Sequence, residues 1–168
     1  MPAPMFSVNT YRYDPYRTFL FQVIMDGKLV AGLKKMTGLK RKTEPVKWRD
    51  AGSPYQRIMP GLTTFDQVTL EQGLTHDPGF ENWANLVNNT QGDAAMSLKN
   101  FRKDLIVNLL NEQGKPALSY KLFRTWVSDF QALPDLDAGT TNAVGIQSIT
   151  IQVEYWERDT SVAEPAES

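Results

Sequence analysis

The chain has a single histidine. His76 lies in the stretch LEQGLTHDPGFENWANLV, residues 70–87, with Asp77 beside it and Glu71 and Glu81 nearby. An imidazole among carboxylates is the raw material of a general base or a metal site. A zinc-type site needs three or four protein ligands, and no second histidine and no cysteine exist to supply them. An all-carboxylate site built from Glu71, Asp77 and Glu81 follows none of the spacings by which loops wrap calcium. No GxSxG elbow or similar motif places a nucleophile for His76 and Asp77 to activate. A turn residue is therefore the favoured reading, and a hydrolase using His76 with Asp77 ranks last. No catalytic residue, cofactor site or metal site is expected.

A second candidate is the basic run Lys34, Lys35, Lys40, Arg41, Lys42 and Lys47, with Trp48 and Tyr55 close by. Charge interleaved with aromatics is the pattern that grips single-stranded nucleic acid. Glu44 and Asp50 interrupt it, and charge runs more often form solvated faces or charge-matched protein contacts. GLKKMTG, residues 32–38, has two glycines but no GxxxxGK[ST] phosphate cradle.

The third candidate is a surface rather than a cluster. In FDQVTLEQG, Val68 and Leu70 alternate with Gln67, Thr69 and Glu71. In SITIQVEYWE, Ile149, Ile151, Val153 and Tyr155 alternate with Ser148, Thr150, Gln152 and Glu154. Period-2 patterning gives each strand an apolar face and a polar one. The polar face is either a solvated sheet surface or the lining of a water-filled channel, and alternation alone leaves both open.

The elements that must carry these residues are mostly strands. TFLFQVIM, residues 18–25, has apolar residues on both faces, so both are expected to be covered. Asp26-Gly27 signals a tight hairpin, with LVAGLKKM as the returning strand. The following LKRKTEPVKWRD and AGSPYQRIMPG are broken by Pro45, Pro54 and Pro60. Proline has no N–H for a ladder, so this segment reads as a long projecting loop or hairpin. Asp77-Pro78 predicts a helix start, and Phe80, Trp83, Ala84 and Val87 a buried helical stripe over about three turns, closed by Asn88-Asn89. Strands follow at DLIVNLLNEQ and ALSYKLFRTWVSDF. The second changes inward face, from Leu118, Tyr120 and Leu122 to Phe123 and Val127, which predicts a bulge near Phe123. At least six strands and one helix make an antiparallel β-sandwich or barrel carrying one packed α-helix.

Composition narrows the classes further. The chain has 168 residues, 41% of them hydrophobic, four tryptophans, and 18 Lys+Arg against 19 Asp+Glu for a formal net charge of −1. That fits one globular domain and gives no overall field toward nucleic acid. The absence of cysteine removes disulfide and thiolate chemistry and fits a reducing cytoplasm. No apolar run reaches the ~18–20 residues of a membrane span, and the N-terminus has no secretory h-region. Residues 1–13 read as an arm, 14–159 as the domain, and 160–168 as a small, acidic, disordered tail.

Five stretches in order resemble one family: DPYR (14–17), DGKLVAGLKKMTGL (26–39), PGLTTFDQVTLEQGLTHDPGFENWAN (60–85), GKPALSYKLFRTWVSDFQALPDLDA (114–138) and NAVGIQSITIQVEYWERD (142–159). They are similar to tail-tube proteins of contractile phages and of phage-tail-like contractile injection systems. The resemblance implies a structural subunit, not an enzyme. It implies hexameric rings whose strands join into a barrel of about 24 strands around an aqueous lumen. Rings of that kind stack into an inner tube, a conduit for DNA or effector protein. The implied partners are other copies of the chain, sheath and baseplate proteins, and cargo. The implied location is the bacterial cytoplasm during assembly, then a virion or injection particle, without membrane insertion. A tube initiator at the baseplate is the alternative within the family, and a nucleic-acid-binding β-barrel the one outside it.

By the same resemblance, the Pro/Gly-broken segment corresponds to a loop reaching the adjacent ring. Its contact residues would be Glu44, Pro45, Val46, Lys47, Trp48 and Arg49, then Asp50, Tyr55, Gln56, Arg57 and Met59. The lumen would be lined by Gln67, Thr69, Glu71, Ser148, Thr150, Gln152 and Glu154. His76 would stand where a barrel strand hands over to the helix.

Overall fold

The computed structural model describes residues 5–87 and 100–167. In chain order its elements are β1 (Phe21–Met25), β2 (Lys28–Leu29), β3 (Leu33–Met36), β4 (Arg41–Trp48), β5 (Arg57–Phe65), β6 (Val68–Gly73), α1 (Gly79–Asn85), β7 (Lys103–Leu110), β8 (Pro116–Gln131), β9 (Ile146–Gln152) and β10 (Tyr155–Arg158). The fold is mainly antiparallel β with a single helix among the described residues. Strands run β2-β1-β7-β8-β9-β6-β3, with β10 also pairing β8, and β4-β5 form a separate two-stranded ribbon. β2 and β3, at the two ends of this path, do not pair, so one chain makes no closed barrel.

Strand β8 turns this path into two layers. Its first half pairs with β7 and β10, and its second half pairs with β9. Between Lys103↔Thr125 and Leu105↔Leu122, β8 advances one residue more than β7. The extra residue is accommodated at Arg124, whose φ of 53° bends the strand. This is the bulge expected near Phe123, and it resets the inward parity from Leu122 to Thr125 and Val127, all three buried. Phe123 itself is only half-buried and stacks on Tyr155 at 4.7 Å.

Between the layers lies one core. Val23, Leu105 and Leu122 meet Val68, Leu70, Val127, Ile149 and Ile151, with Phe80 and Trp83 of α1 plugging the gap. Each such side chain, fully buried, contributes roughly 1.5–3 kcal/mol. Trp83 donates its indole N–H to the Phe101 carbonyl at 2.9 Å, so its one polar atom is satisfied inside.

Three expectations are revised. LVAGLKKM is not one returning strand. The Asp26-Gly27 turn forms with positive φ at both residues, but only Lys28–Leu29 pairs back on β1. Gly32, at φ 69°, then carries the chain across to β6, where Leu33–Met36 pair. SITIQVEYWE is likewise two strands: β9 ends at Gln152, and β10 restarts at Tyr155 on the other half of β8. Tyr155, expected in the core, is therefore partly exposed. The helix is seven residues long, and Asp77 accepts the Gly79 N–H at 3.0 Å one position before the Pro78 N-cap. The expected end at Asn88-Asn89 lies outside the described residues.

Candidate assembly surfaces

The polar face is built by register. Val68, Thr69 and Leu70 stand opposite Ile151, Thr150 and Ile149. Cross-strand partners share a face, so the aliphatic pairs go inward together and the polar pairs outward together. Outside, the Thr69 and Thr150 hydroxyls are 3.2 Å apart, and the Gln152 side-chain amide donates to Gln67 and to Ser128, each at 3.1 Å. Ser148 donates to Gln131 at 3.3 Å. Glu71 lies between Lys35 on one side and Ser148 on the other. The result is a mainly hydroxyl and amide surface, with Glu71 and Asp129 as its carboxylates, whose uncharged groups largely satisfy one another. Such a surface hydrates well and offers little to grip.

Ser128 and Gln131 belong to this face and were missed in the sequence. A second bulge between Val127 and Asp129 shifts the parity of β8 there, which a plain period-2 reading does not register. Glu154 sits apart, in the break between β9 and β10, beside Arg124 at 3.5 Å and Arg102 at 3.8 Å. A further pair escaped notice on the inner side. Gln147 donates to Gln72 at 2.8 Å, both nearly buried, and Gln72 donates onward to the Ala31 carbonyl. That bridge ties the β2–β3 crossing to the sheet.

The ribbon is the second surface. Every residue of β4 and β5 is exposed except Phe65, which is half-buried. Val46 faces Met59 and Trp48 faces Arg57 across the strands, while Lys47 and Ile58 take the other face. Large apolar side chains thus stand in water on both sides, Ile58 at 65% and Leu62 at 73% exposure. These two were missed among the candidates, although their apolar type in a Pro/Gly-broken hairpin is itself a signal. At the tip, Arg57 lies over the Trp48 ring at 5.4 Å and pairs with Asp50 at 3.5 Å. At the root, Phe65 and Tyr120 meet Trp156 edge-on at 5.7 Å each, with Arg41 over the same ring at 5.7 Å. A two-stranded ribbon without a core of its own is marginal in water.

The remaining candidates do not converge. Lys34 and Lys35 lie on β3, Arg41 and Lys42 at the ribbon root, and Lys47 toward its tip. Lys42 is 3.3 Å from Glu44. No single basic face emerges from the run. His76 is exposed in the bend before α1. Among the described residues no group of three His, Cys, Asp or Glu side chains stands close enough to hold a metal ion, and no helix is long and apolar enough to cross a membrane.

Comparisons with known proteins agree on the architecture. A family model described as T4-like virus tail tube protein gp19 matches residues 17–157. The anti-feeding prophage cap (AFP tube terminating cap) superposes with a TM-score of 0.73 at 23% identity, over 89% of this chain and 93% of that one. A chain of the PVC sheath-tube complex, from an extracellular contractile injection system in the extended state, gives 0.70 at 20%, over 86% and 91%. A chain of the AFP baseplate gives 0.71 at 18%, over 88% and 97%. At these identities the likeness is one of fold. No curated protein sequence matches the chain.

Proposed function

Since the chain belongs to the T4-like virus tail tube protein gp19 family, and so is a structural tube subunit, we propose that its copies close into hexameric rings that stack into the inner tube of a contractile particle. In this reading β2 and β3, the unpaired ends of the sheet, join neighbouring copies, which removes strand edges that invite aggregation. The polar face of β6 and β9, with Gln67, Thr69, Glu71, Ser148, Thr150 and Gln152, lines the lumen, with Glu154 at its margin. The ribbon reaches the adjacent ring through Val46, Trp48, Arg57 and Met59, and through Tyr55 near its tip.

The observation that carries the reading is the ribbon: eight residues of β4 exposed along their whole length, opposite a β5 that exposes Ile58 and Leu62. Burying those side chains requires a second molecule. Sheath and baseplate proteins are the further partners, and protein or DNA the cargo. The particle assembles in the bacterial cytoplasm before becoming part of a virion or injection machine. Negative-stain microscopy of the purified chain tests this. Six-fold rings or tubes are expected at high concentration, and a strictly monomeric particle there overturns the proposal.

A further inference from the structure

We propose that the N-terminal arm, residues 6–16, is a peptide-binding site whose ligand is the chain's own acidic C-terminal segment, residues 164–167. The two act as a strap over the outer face of β7 and β8. Both segments lie outside the 17–157 stretch that the family model matches.

The contacts are those of peptide recognition. Asn9 reads the tail backbone on both sides of Ala166: its side-chain amide donates to the Pro165 carbonyl at 2.8 Å, and its carbonyl accepts the Glu167 N–H at 2.7 Å. The Glu164 carboxylate accepts the Val8 and Asn9 backbone N–H at 2.9 and 3.0 Å, the Asn9 amide at 2.9 Å and the Ser7 hydroxyl at 3.1 Å. Arg12 locks the arrangement. Its side chain is 8% exposed and donates to Glu167 at 2.7 Å and to Glu112, in the β7–β8 turn, at 2.8 Å. Its guanidinium lies 4.6 Å from the Tyr16 ring centre and 5.2 Å from that of Phe6. Lys115 adds a bond to the Ala166 carbonyl at 3.3 Å.

Two physical consequences follow. Loss of the tail removes Glu167 from a largely buried guanidinium and leaves it Glu112 as its one carboxylate partner, which favours release of arm and tail together. Asn108, Ala117 and Ser119 are buried although they lie on the face of β7 and β8 opposite Leu105 and Leu122, and Ala117 lines a cavity together with Phe6, Tyr16 and Glu164 of the strap. Release therefore uncovers this outer face and frees both chain ends at once.

Hydrogen exchange tests the strap without any assembled tube. In the full chain, Glu164→Gln is expected to speed exchange of the Val8 and Asn9 amides by about tenfold or more, and Arg12→Gln to do the same for Glu167, with β6 and β9 amides unchanged. Should either variant fail to fold, a protease site inserted after Thr160 and cut after folding provides the second route. Removing the cut tail should open the arm, and adding a synthetic peptide of residues 161–167 should close it. The same peptide with Glu164→Gln and Glu167→Gln should not. An arm that stays protected without its tail overturns the proposal. So does failure of the acidic peptide to restore protection, or equal restoration by the Gln peptide.

Discussion

Pro45 stands directly across from Pro60 in the β4–β5 ribbon, and neither has an amide hydrogen to give the ladder. This pairing suits a ribbon that no third strand completes. Deleting residues 44–59 is expected to leave the body folded, with a β-type circular dichroism spectrum and cooperative unfolding, while abolishing tube extension. Loss of folding in the deletion would assign the ribbon to the core instead.

Gly61 is the tightest point of that ribbon. A Cβ there would stand 2.9 Å from the Glu44 carbonyl oxygen and 2.9 Å from Val46 Cγ2, and the backbone atom cannot swing aside. Gly61→Ala should weaken strand pairing by roughly 1–3 kcal/mol. The check is amide exchange at Val46 and Met59, expected to rise while that of Leu70 and Ile149 stays constant.

The β6–β9 register makes a parity prediction. Ile151 is fully buried at 0% exposure, and its neighbour Thr150 faces out. Ile151→Asp buries an unpaired carboxylate at a cost of several kcal/mol and should prevent folding. Thr150→Asp and Gln152→Lys should fold. If they line a lumen, each charge recurs around the ring, and assembly should change with salt. Solubility and tube formation across a salt series provide the measurement; equal behaviour at the two parities refutes the face assignment.

His76→Ala should shift stability by less than about 1 kcal/mol, the usual range for an exposed turn. Denaturant unfolding of the variant checks this. Elemental analysis of native protein should find no stoichiometric metal, and a metal lost in the variant would reverse the reading.

The strap gives a pH prediction. Burial pushes the Glu164 carboxyl up, but the Val8 and Asn9 amides and the Ser7 and Asn9 side chains outweigh it and hold it at about 2, against an ordinary 4.5. The hydrogen bond from Arg12 likewise lowers Glu112. A folded value below the unfolded one means stabilisation that is full above about 4.5 and lost as pH falls toward 2. Arm amides should lose protection across that window, and Glu164→Gln should remove its share of the dependence.

Period-2 patterning determined which residues of β6 and β9 turn inward, because a strand's pleat fixes alternation locally. Asp26-Gly27 announced its turn, and the Pro-broken segment its exposed ribbon, for equally local reasons. The packing of Phe80 and Trp83 was legible in their helical spacing. Which sheet each strand joins was not. The split of residues 29–36 at Gly32, and of 148–157 after Gln152, depends on pairings with β6 and β8 that are remote in sequence. The restart at Tyr155 moves that residue out of the core, and bulges at Arg124 and Ser128 reset the parity of β8, bringing Ser128 and Gln131 onto the polar face. The docking of Glu164 on Asn9, 155 residues away in the chain, is decided in the same way. A pattern confined to neighbouring residues carries no record of a contact whose two halves meet only once the sheet has formed.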